Sequence, residues 1–245
     1  MSRRVWSLLS LCALACAPDA PGAARVGDRG TDVPGAPAEP QAASQENAAA
    51  PRGPRVVFMG TSLTAGLGLP GPEDAWPARL AELADSAGLP LQAVNAGVSG
   101  DTSAGGLRRL EWILREPLDV LVVELGANDG LRGQDPDATA DNLRRIVRGT
   151  RERYPGARVL LCAMEAPPNM GDAYTERFRA IFPEVARETG AELVPFLLDG
   201  VAGIPALNQD DGMHPTPEGH RRMAANAWPS LESVVRAWWA EHSPT

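Results

Sequence analysis

From Arg55 onward, short and nearly continuous apolar runs alternate with stretches of helical periodicity, and this alternation constrains the fold more than any other feature. Residues 56–59, 91–95, 120–125, 158–164 and 192–197 read as five strands, of which 120–125 (Val-Leu-Val-Val-Glu-Leu) is the strongest. Between them, Trp76, Leu80, Leu83 and Ala87 recur at helical spacing after Asp74, a predicted N-cap, until Gly88 stops the pattern. Leu107, Leu110, Ile113 and Leu114 mark a second helix, and Leu143, Ile146, Val147 and Thr150 line one face of a third near 139–153. Another helix ends at Gly190, and a closing one carries Leu231, Val234, Val235 and Trp238. Strands that are apolar along their whole length, separated by helices, belong to a parallel sheet covered on both faces. The predicted fold class is therefore α/β: a three-layer α/β/α sandwich around a central, mostly parallel five-stranded sheet. A chain of 245 residues with 44% hydrophobic content suffices for one such core and an appendage.

The appendage is N-terminal. Arg3 and Arg4 precede an apolar run over residues 5–15, which is about half of the ~20 residues that a helical membrane span requires. Residues 1–16 thus read as a secretory signal peptide, ending in the small-residue site Ala13-Leu14-Ala15. Cleavage after Ala15 would leave Cys16 first, the arrangement in which bacterial lipoproteins carry their lipid; plain cleavage at the same site would release a soluble exported protein. Residues 17–54, rich in Ala, Pro and Gly with almost no large apolar side chains, favour the lipidated form, because they suit a disordered tether. The expected location is periplasmic, or membrane-anchored through Cys16, with residues 55–245 as the folded domain.

Cys12 and Cys16 fall in the signal region, so the domain keeps Cys162 alone, in a strand where it should be buried and inert. Neither a disulfide framework nor a Cys-rich metal site can form there. The net charge of −8 lies in the domain, since the five arginines and five acids of residues 1–54 cancel. An acidic domain without a basic stripe argues against nucleic acid as a partner. The domain is expected to be a monomer that uses no metal and no cofactor.

In open parallel sheets, ligands bind beyond the carboxyl ends of the strands. Ser62 follows the first strand in Gly60-Thr61-Ser62-Leu63, Gly100 sits in the turn after the second, and Gly126-Ala127-Asn128-Asp129 follows the third. A serine becomes a nucleophile when a histidine accepts its proton and a carboxylate fixes that histidine's tautomer. The chain has three histidines. His242 lies near the end, where it should be solvated, and His220 opens the last helix, where a surface or capping role is expected. His214 remains, in Asp211-Gly212-Met213-His214-Pro215, with Asp211 three residues upstream; Asp210 competes at a spacing of four that fits a tight turn less well. Ser62, Asp211 and His214 are the candidate catalytic residues. The Ser62 N–H, the Gly100 N–H and the Asn128 side-chain amide are candidate donors to the oxyanion of a tetrahedral intermediate. The Gly-x-Ser-x-Gly elbow is absent, because Thr64 stands where its second glycine would be.

These four blocks, in this order, resemble those of the SGNH (GDSL) hydrolases. The surroundings Val123–Gly133 and Gln209–Pro215 look like the branch of periplasmic multifunctional thioesterase/lysophospholipases and arylesterases. The resemblance covers about residues 55–240 and implies a flavodoxin-like sandwich, Ser62 as nucleophile, His214 as general base and acid, Asp211 as its orienter, and Ser62, Gly100 and Asn128 as the oxyanion hole. It implies hydrolysis of aryl esters, acyl thioesters or lysophospholipids, a small acyl-ester or lipid-derived substrate as the partner, and residues 166–174 bordering the acyl groove. An acyltransferase or carbohydrate acetylesterase on the same site, and a non-catalytic tethered binding protein, are the alternatives. The chain departs from the family's Gly-Asp-Ser-Leu in one place: Thr61 stands where that motif has Asp.

Overall fold

The computed structural model describes residues 53–243. The signal-peptide reading and nearly all of the tether reading lie outside these residues. Gly53 and Pro54, expected to end the tether, are buried, and the Pro54 carbonyl accepts the Gln92 N–H at 2.9 Å. The packing of the domain thus already includes them.

In chain order the elements are β1 (Arg55–Gly60), α1 (Ser62–Ala65), α2 (Trp76–Ser86), β2 (Gln92–Gly97), α3 (Ser103–Ile113), β3 (Val120–Glu124), α4 (Ala127–Leu131), α5 (Pro136–Arg153), β4 (Arg158–Cys162), α6 (Asp172–Thr189), β5 (Glu192–Val194) and α7 (Pro217–His242). The five strands form one sheet in the order β2-β1-β3-β4-β5, and every pairing is parallel. α2 packs with α7, while α3 packs with α5 and α5 with α6, which gives the two helical layers. The three-layer sandwich is as expected, and its sheet is wholly parallel.

The central strands explain the layering. Val120, Leu121, Val123 and Glu124 are fully buried and Val122 is 2% exposed, so β3 has no solvent-facing side. Phe58 on β1 meets Trp76 of α2 edge to face, with centroids 5.2 Å apart. Such a contact adds roughly 0.5–1.5 kcal/mol beyond the area it buries. Helix starts follow their caps: Thr102 accepts from the Gly105 N–H, Asp135 from Asp137, and Thr216 from Gly219.

One expectation fails around α2, and a second is narrowed. Asp74 is not its N-cap; it belongs to a 3₁₀ turn, Pro72–Asp74, and its carboxylate pairs with Arg79 at 2.5 Å. The first N–H of α2, from Trp76, is instead accepted by Nδ1 of His220 at 3.2 Å. Of the two roles expected for His220, capping holds and surface exposure does not: it is 1% exposed and caps α2 rather than its own helix. Burial lowers its pKa to about 4, in keeping with a ring nitrogen that must stay unprotonated to accept.

The order 2-1-3-4-5 reverses direction between β1 and β3, and the crevice at such a point is where sandwiches of this kind bind ligands. Ser62 leaves the end of β1 and Asn128 leaves the end of β3, so both lie at this switch point.

Candidate active site

Ser62 opens the single turn of α1, whose N-cap, Thr61, accepts the Leu63 N–H at 3.3 Å. The turn is held from beneath by Glu124, the last residue of β3. Its carboxylate accepts the Thr61 N–H at 2.9 Å, the Thr61 hydroxyl at 3.0 Å and the Thr64 hydroxyl at 2.8 Å. Gly60 is required by this arrangement, because a Cβ there would stand 2.0 Å from Thr64 Oγ1 and 2.6 Å from Glu124 Oε2. Burial raises the pKa of Glu124 to about 7, and the donors from Thr61 and Thr64 pull the other way. Thr61, where the family motif has Asp, thus contributes a neutral donor beside a buried carboxyl group.

His214 reaches Ser62 from the loop before α7. Its Nε2 lies 3.0 Å from Ser62 Oγ, and its Nδ1 lies 2.6 Å from Asp211 Oδ2. Asp211 also accepts the Met213 and His214 N–H groups, each at 2.9 Å, so the three-residue spacing closes a turn around the carboxylate. The His214 side chain, followed by these two N–H groups, holds the Asp211 carboxyl well below the usual carboxylate range. The loop is closed by an antiparallel bridge between Asn208 and Pro215 and by the Gln209 N–H on the His214 carbonyl at 2.7 Å. The Gln209 side-chain amide spans from the Pro215 carbonyl to the Leu67 carbonyl, 2.9 Å to each, tying the loop to the segment after Ser62.

The candidate oxyanion donors converge on the same cleft. Ser62, Gly100, Asn128, Asp211 and His214 all line it, and it has a volume of about 580 Å³. One Asn128 amide hydrogen is used on the Asp101 carbonyl at 2.9 Å, which leaves the second for the cleft. No group among the described residues takes the Ser62 or Gly100 N–H. Asn128 lies in α4, entered through Gly126 at φ +112°, where a Cβ would meet Phe182 at 2.9 Å. Behind it, buried Asp129 accepts the Ser103 N–H at 2.9 Å and the Ser103 hydroxyl at 2.5 Å, locking α4 to the start of α3.

The rest of the cleft is largely apolar, with Leu67, Leu131, Met164, Phe196, Leu198 and Met213 among its walls. Of the segment 166–174 expected to border it, Ala166, Pro167 and Pro168 do so, whereas residues 169–174 are not among its walls and Asp172 already opens α6. A larger groove of about 1120 Å³ lies between α3 and α5 and contains none of these residues. Among the described residues, no group of three or more His, Cys, Asp or Glu is placed to hold a metal ion. Cys162 is fully buried, which pushes its thiol pKa well up and keeps it from acting as a nucleophile.

Sequence reasoning does not find Glu124 or Asp129. Glu124 had a signal, as the one charge inside an apolar strand. Asp129 has no such signal, because its partners Ser103 and Thr139 lie far from it along the chain.

The geometry agrees with the comparisons with known proteins. The model of the GDSL-like lipase/acylhydrolase family matches residues 58–222. The chain is 41% identical over 181 residues to esterase TesA of Pseudomonas aeruginosa, covering 74% of this chain and 89% of that one. It is 41% identical over 182 residues to thioesterase 1/protease 1/lysophospholipase L1 of Escherichia coli, covering 74% and 84%. It is also 36% identical over 173 residues to an arylesterase of Vibrio mimicus, covering 70% and 85%. The crystal structure of TesA superposes with a TM-score of 0.70 at 40% identity, over 74% of this chain and 99% of that one. With the family model covering more than half its length, the chain belongs to the GDSL-like (SGNH) lipase/acylhydrolase family.

Proposed function

We propose that this protein hydrolyses carboxylic acyl esters (aryl esters, acyl thioesters or lysophospholipids) through an acyl-enzyme on Ser62. The carrying observation is the unbroken chain from Ser62 Oγ to His214 Nε2 and from His214 Nδ1 to Asp211. Ser62 Oγ attacks the carbonyl carbon while His214 Nε2 takes its proton. The oxyanion that forms is met by the Ser62 and Gly100 N–H groups and the Asn128 amide. His214 returns the proton to the departing alcohol or thiol, and the acyl group remains on Ser62. Water, deprotonated by His214, then attacks the acyl carbon and releases the acid. Asp211 stabilises the imidazolium at both stages and stays ionised. The names of the relatives, which include esterase, arylesterase and thioesterase/lysophospholipase, support the reaction class.

The apolar walls favour a hydrocarbon acyl chain over an acetylated sugar, whose hydroxyls would find few partners there. A panel of p-nitrophenyl esters of rising chain length, acyl thioesters, lysophospholipids and acetylated sugars tests this. Turnover of acyl esters and its loss in Ser62→Ala are expected; activity on acetylated sugars alone would refute the assignment of the acyl group.

We further infer export through residues 1–16, with a lipid on Cys16 and residues 17–52 as a spacer. No helix among the described residues is long and apolar enough to cross a membrane. Metabolic labelling with palmitate, lost in Cys16→Ala, is the check; an unlabelled wild-type protein would contradict it.

A further inference from the structure

We propose that Arg109 is a positioning residue that sets the nucleophile and the oxyanion donors in register with one another. The proposal rests on the ester-hydrolase reading of the site. Arg109 lies in α3 with its side chain 17% exposed, turned toward the carboxyl ends of β1 and β2. Its guanidinium serves three acceptors. Nε donates to Asp101 Oδ2 at 2.7 Å, Nη1 to the Ala96 carbonyl at 2.7 Å and Nη2 to the Gly60 carbonyl at 3.0 Å.

Two of the three acceptors are one or two residues from a candidate reacting group. Gly60 is two residues before Ser62, and its carbonyl also takes the Val98 N–H at 2.9 Å. Asp101 follows Gly100, and its own carbonyl holds the Asn128 amide at 2.9 Å. Ala96 is the penultimate residue of β2, the strand that leads into the Gly100 turn. One rigid fork therefore joins the strand end that carries the nucleophile to the loop that carries one oxyanion donor and orients another. A lysine, with a single nitrogen, cannot present donors in these fixed directions. Neighbouring Arg108 instead lines the outer groove between α3 and α5, so the role belongs to Arg109 alone of the pair.

A donor displaced by about 1 Å costs on the order of 10²-fold in rate. The test uses the full chain with active sites counted by fluorophosphonate titration, so that rates refer to folded enzyme. Wild type must first turn over a p-nitrophenyl ester; failure there would defeat the ester-hydrolase reading and not this one. Arg109→Met is expected to lower kcat per counted site ~10²-fold with KM within a few-fold, and Arg109→Lys to recover part of the loss. Asp101→Ala, which leaves the Gly60 and Ala96 carbonyls as acceptors for Arg109, should lower kcat ~10-fold, and the two losses should combine less than additively in the double variant. A purely structural arginine would lower Tm and leave kcat per counted site unchanged. That result, or additive losses, would overturn the proposal. If Arg109→Met does not fold, Arg109→Lys and Asp101→Ala decide: kcat per site within twofold of wild type in both would likewise overturn it.

Discussion

The two halves of the candidate site are built on different principles. Ser62, Gly100 and Asn128 stand on strand ends fastened from beneath by Glu124, Asp129 and Arg109, two of which are fully buried. The Asp211–His214 loop is fastened locally, through its own backbone and Gln209, and the Asp211 side chain is 49% exposed. The contrast fits what each half must do. Oxyanion donors work by being already in place, so they gain from a rigid, dry mount. A base must exchange protons and admit water, and a short turn orients it well enough. Consequently, damage beneath the donors should cost both stability and rate, whereas damage to the loop should cost rate alone.

The largest expected effect lies on the loop. His214→Ala should reduce kcat by about 10⁴- to 10⁶-fold, by analogy with other catalytic triads. Calorimetry should find its Tm essentially that of wild type; a large fall in Tm would break the contrast. Next comes Asn128→Ala, for which a loss of ~10²–10³ in kcat is expected. A loss confined to KM in steady-state assays would remove Asn128 from the oxyanion hole. Glu124→Ala should act on both axes, because it leaves the Thr61 N–H and two threonine hydroxyls without their acceptor. Unpaired buried donors cost about 1–3 kcal/mol each, a loss that urea denaturation would register together with reduced kcat.

The smallest expected effect concerns pH, and it carries a sign. Glu124 titrates near 7 in the folded chain against 4.5 as its ordinary value, so between these the folded state holds a proton that the unfolded state has lost. Stability should therefore fall as pH rises from about 4.5 to about 7. His220 works in the opposite direction: its pKa is lowered from 6.5 to about 4, so stability rises with pH across that interval. In wild type the two slopes offset each other where they overlap. Denaturation curves of Glu124→Gln should expose the rising slope and those of His220→Asn the falling one. Identical profiles in all three proteins would show that neither group titrates as its burial implies.

Much of this was legible in the sequence, and the pattern of what was not is informative. The five strands and their three-layer, mostly parallel packing follow from apolar runs and helical spacing, whereas the order β2-β1-β3-β4-β5 does not. Ser62, Asp211 and His214 followed from residue chemistry, because few serines sit directly after a strand and only one of three histidines has an aspartate at turn spacing. What sequence did not reveal depends on partners far along the chain. Glu124 meets Thr61 and Thr64 from 63 and 60 residues away, and His220 caps a helix 144 residues before it. β5 stops at Val194 rather than Leu197 because it pairs only with Leu160, Leu161 and Cys162 of β4. β2 runs on past Asn95 to Gly97, because β1 supplies partners as far as Gly60.

The most direct test of the nucleophile is to treat the full chain with a fluorophosphonate and locate the adduct by peptide mass spectrometry. The expected result is a single adduct on Ser62, abolished in Ser62→Ala and formed far more slowly in His214→Ala. An adduct on another residue, or labelling that survives Ser62→Ala, would contradict the assignment of Ser62.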